Sequence, residues 1–216
     1  MKHAVAGRRS HRDWAGVLVL FILVLAAVAV GLFSFSAYSR NDQASLISGL
    51  SQVRVGGFRF FRASPLPFNP DEYGRVVSKA QIFIATTPDS VVNPRLRALA
   101  DVGSNRLQEA AELLEKLQGR ETSEILNDLG VVYWGLGEEN PSNYFKALLA
   151  FERSSQLSPQ ALAPRFNLAL AYRNVELHAL ANTAFQEYRR LERNLFWSDG
   201  LFRTCLLYTS PSPRDS

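Results

Sequence analysis

Leu129-Gly130-x-x-Tyr133 is followed by Ala147-x-x-x-Phe151 and then Pro159, and the order returns as Leu168-Ala169-x-x-Tyr172 and Ala181-x-x-x-Phe185. A large apolar residue and a tyrosine four positions on share one face of a helix. Small residues at Gly130, Ala147, Ala169 and Ala181 let a second helix come close. Two helix pairs with the same seam are therefore expected over Ser123–Leu191.

This order resembles the tetratricopeptide repeat, whose pattern is W-x2-L-G-x2-Y…A-x3-F…P in a unit of about 34 residues. The second copy keeps the family's spacing of 13 residues from Leu168 to Ala181; the first spans 18, from Leu129 to Ala147, with five residues inserted at 135–142 between the helices. Leu126 and Arg165 stand at the leading Trp, and Arg193 replaces the closing Pro of the second copy. The resemblance implies an all-α chain built as a short helical solenoid, in which each pair buries its apolar face against the next. A generic helical bundle also fits the periodicity.

The chain does not begin like a soluble protein. Trp14–Phe33 is 20 residues without a charge, 13 of them Val, Leu, Ile or Phe. Such a run spans about 30 Å as a helix, the thickness of the hydrocarbon core, and its large apolar residues favour insertion by about 4–8 kcal/mol. A cleaved secretory signal is the other reading, but its apolar core is usually about 7–15 residues. The reading adopted is a basic cytoplasmic tail at 1–13 and a transmembrane helix within 14–38. Lys2, Arg8, Arg9 and Arg12 precede the span and only Arg40 and Arg54 follow closely, which orients the N-terminus to the cytoplasm. The repeats then lie on the periplasmic or extracellular side, with the lipid bilayer as a partner through 14–38.

The formal net charge of +4 is uneven: Met1–Asp13 carries +3 and Trp14–Thr204 only +1. No basic stripe with interleaved aromatics runs through the repeats, which argues against nucleic acid as a partner. The single cysteine, Cys205, belongs to a C-terminal stretch unlike the rest. Cys205–Asp215 matches, codon for codon, the translation of a transposase-type sequencing adapter, so 205–216 is set aside as an artefact.

Between the ends, 39–70 reads as an aromatic and Pro-rich linker or cap. Gly56-Gly57, Pro65, Pro67 and Pro70 oppose a long helix there. Phe58, Phe60, Phe61 and Phe68 are too many aromatics for a free linker. They either pack on the first helices as an extended piece or rest on the membrane surface with Arg59 and Arg62. Residues 71–121 read as helices from Asp71, Pro94 and Leu107, the last two resembling a degenerate repeat through Ala110-x-x-x-Leu114. The two full repeats fill 122–195, and 196–204 begins a further apolar element.

No phosphate loop, nucleophile elbow, zinc-protease motif or Cys/His cluster appears, so no catalytic residue, metal site or cofactor is assigned and the chain is not expected to be an enzyme. The tetratricopeptide resemblance implies instead a scaffold whose stacked first helices line a concave groove for a protein or peptide partner. Residues facing away from Leu129, Tyr133, Leu168 and Tyr172 would line it: Asn127, Val131 and Trp134 in one repeat, and Asn167, Leu170, Arg173 and Asn174 in the next. Trp134, turned about 100° from Tyr133, is expected to face that groove at a folding cost of about 1 kcal/mol when cut to Ala. The order of tail, span, linker and repeats also resembles bacterial proteins whose repeats lead into a caspase-like peptidase of the CHAT type; the repeats would then be the docking arm of an enzyme. A complete genomic read of the gene should diverge from this sequence after Thr204, and a read that encodes Cys205–Ser216 would overturn the adapter assignment.

Overall fold

The computed structural model describes residues 21–26, 28–29, 39–60, 69–117 and 122–192. The expected tail, most of the expected span, the segment 61–68 and everything beyond Glu192 lie outside the described residues. The chain divides into two compact units, Met1–Ala44 and Ser45–Ser216. In the first, 21–26 and 28–29 are helical, and Phe21, Ile22, Leu23, Val24, Leu25 and Val28 are exposed. Among the described residues no helix is long and apolar enough to cross a membrane.

The described chain is mostly helical. Residues 39–50 form a helix (α1), followed by strands β1 (Arg54–Val55) and β2 (Phe58–Arg59). Then come α2 (Pro70–Thr86), α3 (Pro94–Gly103), α4 (Leu107–Glu115), α5 (Ser123–Gly135), α6 (Ser142–Leu157), α7 (Leu162–Asn174) and α8 (His178–Leu191). From α2 to α8 each helix packs on its chain neighbours, and α5 also touches α7. The helix at 39–50 corrects the expectation of a linker or cap over all of 39–70. Its Ile47 and Leu50, three residues apart, are buried in the core of the second unit, which outweighs the weak helix signal of Ser45, Ser48 and Gly49.

Local chemistry sets the helix starts. Asn69 and Asn93 cap α2 and α3 by accepting from backbone N–H groups of the first turn, with Pro70 and Pro94 next in line. Thr122 caps α5 by accepting from the Ile125 N–H. The seams follow the sequence pattern. A Cβ at Gly130 would lie 2.5 Å from Phe151, so α5 and α6 approach as closely as they do because that position has no side chain. Ala169, Ala184, Phe185 and Tyr172 cluster between α7 and α8. The ends of α5 and α6 are joined by buried serines: Ser123 Oγ donates to the Ser154 carbonyl at 2.8 Å and Ser154 Oγ to the Ser123 carbonyl at 2.6 Å.

Two glycines in helices should therefore respond with opposite signs. Gly130→Ala gains about 1 kcal/mol of helix propensity, but it forces a buried phenyl ring aside, and overpacking of this kind costs about 1–3 kcal/mol or more; net destabilisation is expected. At Gly74 in α2 an added Cβ meets nothing within 4 Å, so Gly74→Ala should stabilise by about 0.5–1 kcal/mol. Urea melts of the two variants check this; stabilisation by Gly130→Ala would mean that the α5–α6 seam is looser than described.

Candidate functional site

The face of α5 and α7 that carries Asn127, Trp134, Asn167 and Leu170 is covered by the chain's own strand pair. Val55-Gly56-Gly57-Phe58 is a two-residue hairpin: Arg54 pairs with Arg59 and Val55 with Phe58, antiparallel. Gly56 and Gly57 take φ of 56° and 87°, a combination that fits the tight hairpin turn twisting with its strands and that favours glycine at both places. The turn rests on the first helices, since a Cβ at Gly56 would stand 3.3 Å from Trp134 and one at Gly57 3.6 Å from Leu170.

Two asparagines hold this strap by its main chain. The Arg59 N–H donates to Asn167 Oδ1 at 2.8 Å. The Arg59 carbonyl accepts from Asn167 Nδ2 at 2.6 Å and from Asn127 Nδ2 at 3.0 Å, and Asn167 Nδ2 also donates to Asn127 Oδ1 at 2.9 Å. Both asparagines are fully buried. An amide side chain offers a donor and an acceptor together, so it matches the two polar groups of a backbone residue.

The strap's side chains fill separate places. Phe58 lies parallel to Phe151 at 5.4 Å between ring centres and tilted on Trp134 at 4.4 Å. Phe60 is completely buried. The Arg59 guanidinium sits 3.7 Å over the centre of the Phe166 ring, and its Nη1 donates to Tyr188 Oη at 3.3 Å. Tyr188 in turn donates to Glu192 Oε2 at 3.1 Å. Burial pushes the Tyr188 phenol upward, against the pull of the Arg59 charge. Burying Phe58 and Phe60 contributes about 1.5–3 kcal/mol each, more than the asparagine bonds at about 0.5–1.5 kcal/mol apiece. The bonds nonetheless decide the register, because a slip would leave a buried N–H or carbonyl unmatched.

The expected groove residues thus fall into two groups. Asn127, Val131, Trp134, Asn167 and Leu170 come together on one face, but they are not open to solvent: the first two, Asn167 and Leu170 are buried and Trp134 is half-buried. The burial has a plain cause for four of them, since residues 53–60 lie on Asn127, Trp134, Asn167 and Leu170. Arg173 and Asn174, at the end of α7, bond each other, Arg173 Nη2 donating to Asn174 Oδ1 at 3.0 Å. Arg59, Phe166 and Tyr188 were missed as members of the site. The signal was present in Val53-Arg54-Val55-Gly56-Gly57-Phe58-Arg59-Phe60, which alternates on both sides of a Gly-Gly pair. His178 is exposed at the start of α8.

A buried ion cluster backs the asparagines. Arg95 Nε donates to Asp128 Oδ2 at 2.6 Å and its Nη1 to Glu124 Oε2 at 3.3 Å, tying α3 to α5. Asp128, fully buried, also accepts from Asn127 Nδ2 at 3.4 Å. Among the described residues no group of three or more His, Cys, Asp or Glu could hold a metal ion. Comparison with protein-family models, curated proteins and solved structures gives no match.

Trp134, pressed between Phe58 and Tyr144, should behave as a packing residue. Trp134→Ala is expected to cost about 3 kcal/mol, near the cost of Tyr133→Ala and well above that of a solvent-facing ring. Paired urea melts measure the gap; a loss near 1 kcal/mol for Trp134→Ala would mean that the strap does not rest on the indole.

Proposed function

We propose that this chain is a membrane-anchored scaffold of the tetratricopeptide type that holds protein partners in extended form on the face of α5 and α7. The observation that carries the reading is the grip of Asn127 and Asn167 on both backbone groups of Arg59. That contact recognises main chain, whatever residue carries it, and main-chain recognition is what a groove for extended peptides requires.

The repeat reading is supported by a recurring tie between successive pairs. Tyr133 Oη donates to Glu115 Oε1 at 2.5 Å and Tyr172 Oη to Glu152 Oε1 at 2.6 Å. Tyr133 and Tyr172 are the tyrosines of the two motif copies. Glu115 directly follows Leu114, and Glu152 directly follows Phe151, so the acceptors also stand in matching places. The match extends the pattern back to Ala110-x-x-x-Leu114, as a degenerate first repeat requires. The anchor is supported by the uncharged run Trp14–Phe33 and by the exposed apolar side chains at 21–25 and Val28.

The full chain, expressed in a membrane and cross-linked, tests both parts. Partners identified by mass spectrometry should fall at least tenfold with the double variant Asn127→Ala/Asn167→Ala, with helix content kept. An unchanged partner set would remove the groove from the function. The chain should also stay in the membrane through alkaline carbonate washing, and its release would remove the anchor.

A further inference from the structure

We propose that residues 53–60 are a self-supplied ligand that keeps the groove shut, and that the partner able to open it presents an extended aromatic–arginine–aromatic segment. This rests on the scaffold reading above. The strap has the properties of a bound peptide. Each of its strands is two residues long and, among the described residues, pairs only with the other. A hairpin so short does not hold its shape unaided, so α5 and α7 impose its conformation.

The side-chain sites define what else would fit. Phe58 and Phe60 are fully buried, so both flanking positions select large apolar groups. The middle position is selective for arginine. The guanidinium is planar, sits 3.7 Å over the centre of the Phe166 ring and donates an N–H to Tyr188 Oη, while Tyr188 donates its own hydroxyl proton to Glu192. Lysine has no planar group to stack and its ammonium is more strongly hydrated. The asparagines read the backbone of that same middle residue, so register and side-chain choice are coupled.

Exchange of the strap for such a segment swaps like contacts for like. What opposes it is the tether, which holds the strap at an effective concentration of about millimolar. The apparent affinity of a partner is its intrinsic affinity multiplied by the fraction of time the strap is out. A partner confined to the same membrane surface, and so locally concentrated, is the kind that competes.

The test uses the full chain in mild detergent and a labelled synthetic peptide with the sequence of residues 53–60. The triple variant Phe58→Ala/Arg59→Ala/Phe60→Ala should bind the peptide at least 30-fold more tightly than the unaltered chain. A peptide with Lys in place of the Arg59 equivalent should bind the variant at least tenfold more weakly. In the unaltered chain, saturating peptide should speed hydrogen exchange at the Arg59 amide at least tenfold, since that N–H loses Asn167. A variant that binds the peptide while the Arg59 amide of the unaltered chain stays protected would make the strap a fixed part of the fold; the groove reading would stand and this inference would fall. A folded variant that binds no peptide would sink both. Should the variant be unfolded, peptide-induced recovery of its helix supports the proposal, and failure to recover overturns it.

Discussion

The backbone of Arg59 is where the packing of the second unit converges. An extended segment laid over two helices buries N–H and carbonyl groups that water can no longer reach, and each must find a partner. Asn127 and Asn167 supply those partners, and the bond between them ties α5 to α7 directly. The same network runs on through Asp128 to Arg95, which brings in α3. One main-chain residue is thus joined to three helices. Removing one member of a buried polar set leaves the others unmatched at about 1–3 kcal/mol each, so these polar groups act more through register and uniqueness than through net attraction.

The helices were legible because their seams repeat. Leu129, Gly130 and Phe151, and Ala169, Ala181 and Phe185, occupy the apolar interfaces that their spacing implies. The starts of α2 and α3 were expected at Asp71 and Pro94; the structure adds Asn69 and Asn93 as their caps, with proline beside each, and Thr122 as the cap of α5. What covers the outer face of α5 and α7 was not legible from the helices themselves. Asn127 and Asn167 are polar residues on a helix, and local pattern gives them the same appearance whether they meet solvent, a partner or a distant piece of the chain. They are also not equivalent in the repeat: Asn127 lies two residues before Leu129, and Asn167 one before Leu168. Aligning the copies therefore does not pair them. The helix at 39–50 was hidden for a related reason, since its apolar residues are few and its stability comes from Ile47 and Leu50 packing on other helices. Gly49 lets α1 meet Val76 of α2, a contact only tertiary structure reveals.

The recurring ties between successive helix pairs are neutral hydroxyls on carboxylates, and they stand beside the ion pairs that Arg95 makes from α3 to Asp128 and Glu124 of α5. Burial, followed by the bond to Glu115, pushes the Tyr133 phenol up; burial and Glu152 do the same to Tyr172. Tyr73, on α2, is pushed up to about 12 by burial alone. These phenols keep their protons at and well above neutrality. Because the folded state holds the proton more tightly than the unfolded chain does, their contribution is complete below pH about 10 and declines only as pH rises beyond it. The phenol side of these links is thus untouched by physiological changes in pH. The surface pair of Arg97 with Asp89, at 2.8 Å and largely in water, contributes little by comparison.

The insertion at 135–142 is best understood through the strap rather than through the repeat. A longer turn between α5 and α6 is cheap in loop entropy, but here its residues are placed. Gly137 lies against Tyr144, where any side chain would collide with the ring. Tyr144 packs on Trp134 at 4.8 Å, and Trp134 supports Phe58 and the Gly56 turn. Gly135 leaves room for Val55 and Leu107. The aromatic stack under the hairpin thus brackets the inserted turn, with Trp134 before it and Tyr144 after it. The second copy has the shorter spacing, and Arg173 stands where Trp134 stands in the first. There the arginine bonds Asn174 at the helix end, and the strap is held instead by Asn167, Leu170 and the Phe166–Tyr188 pair. The difference between the copies accounts for the asymmetry of the face: aromatic stacking under the turn, and backbone and guanidinium recognition one residue beyond it.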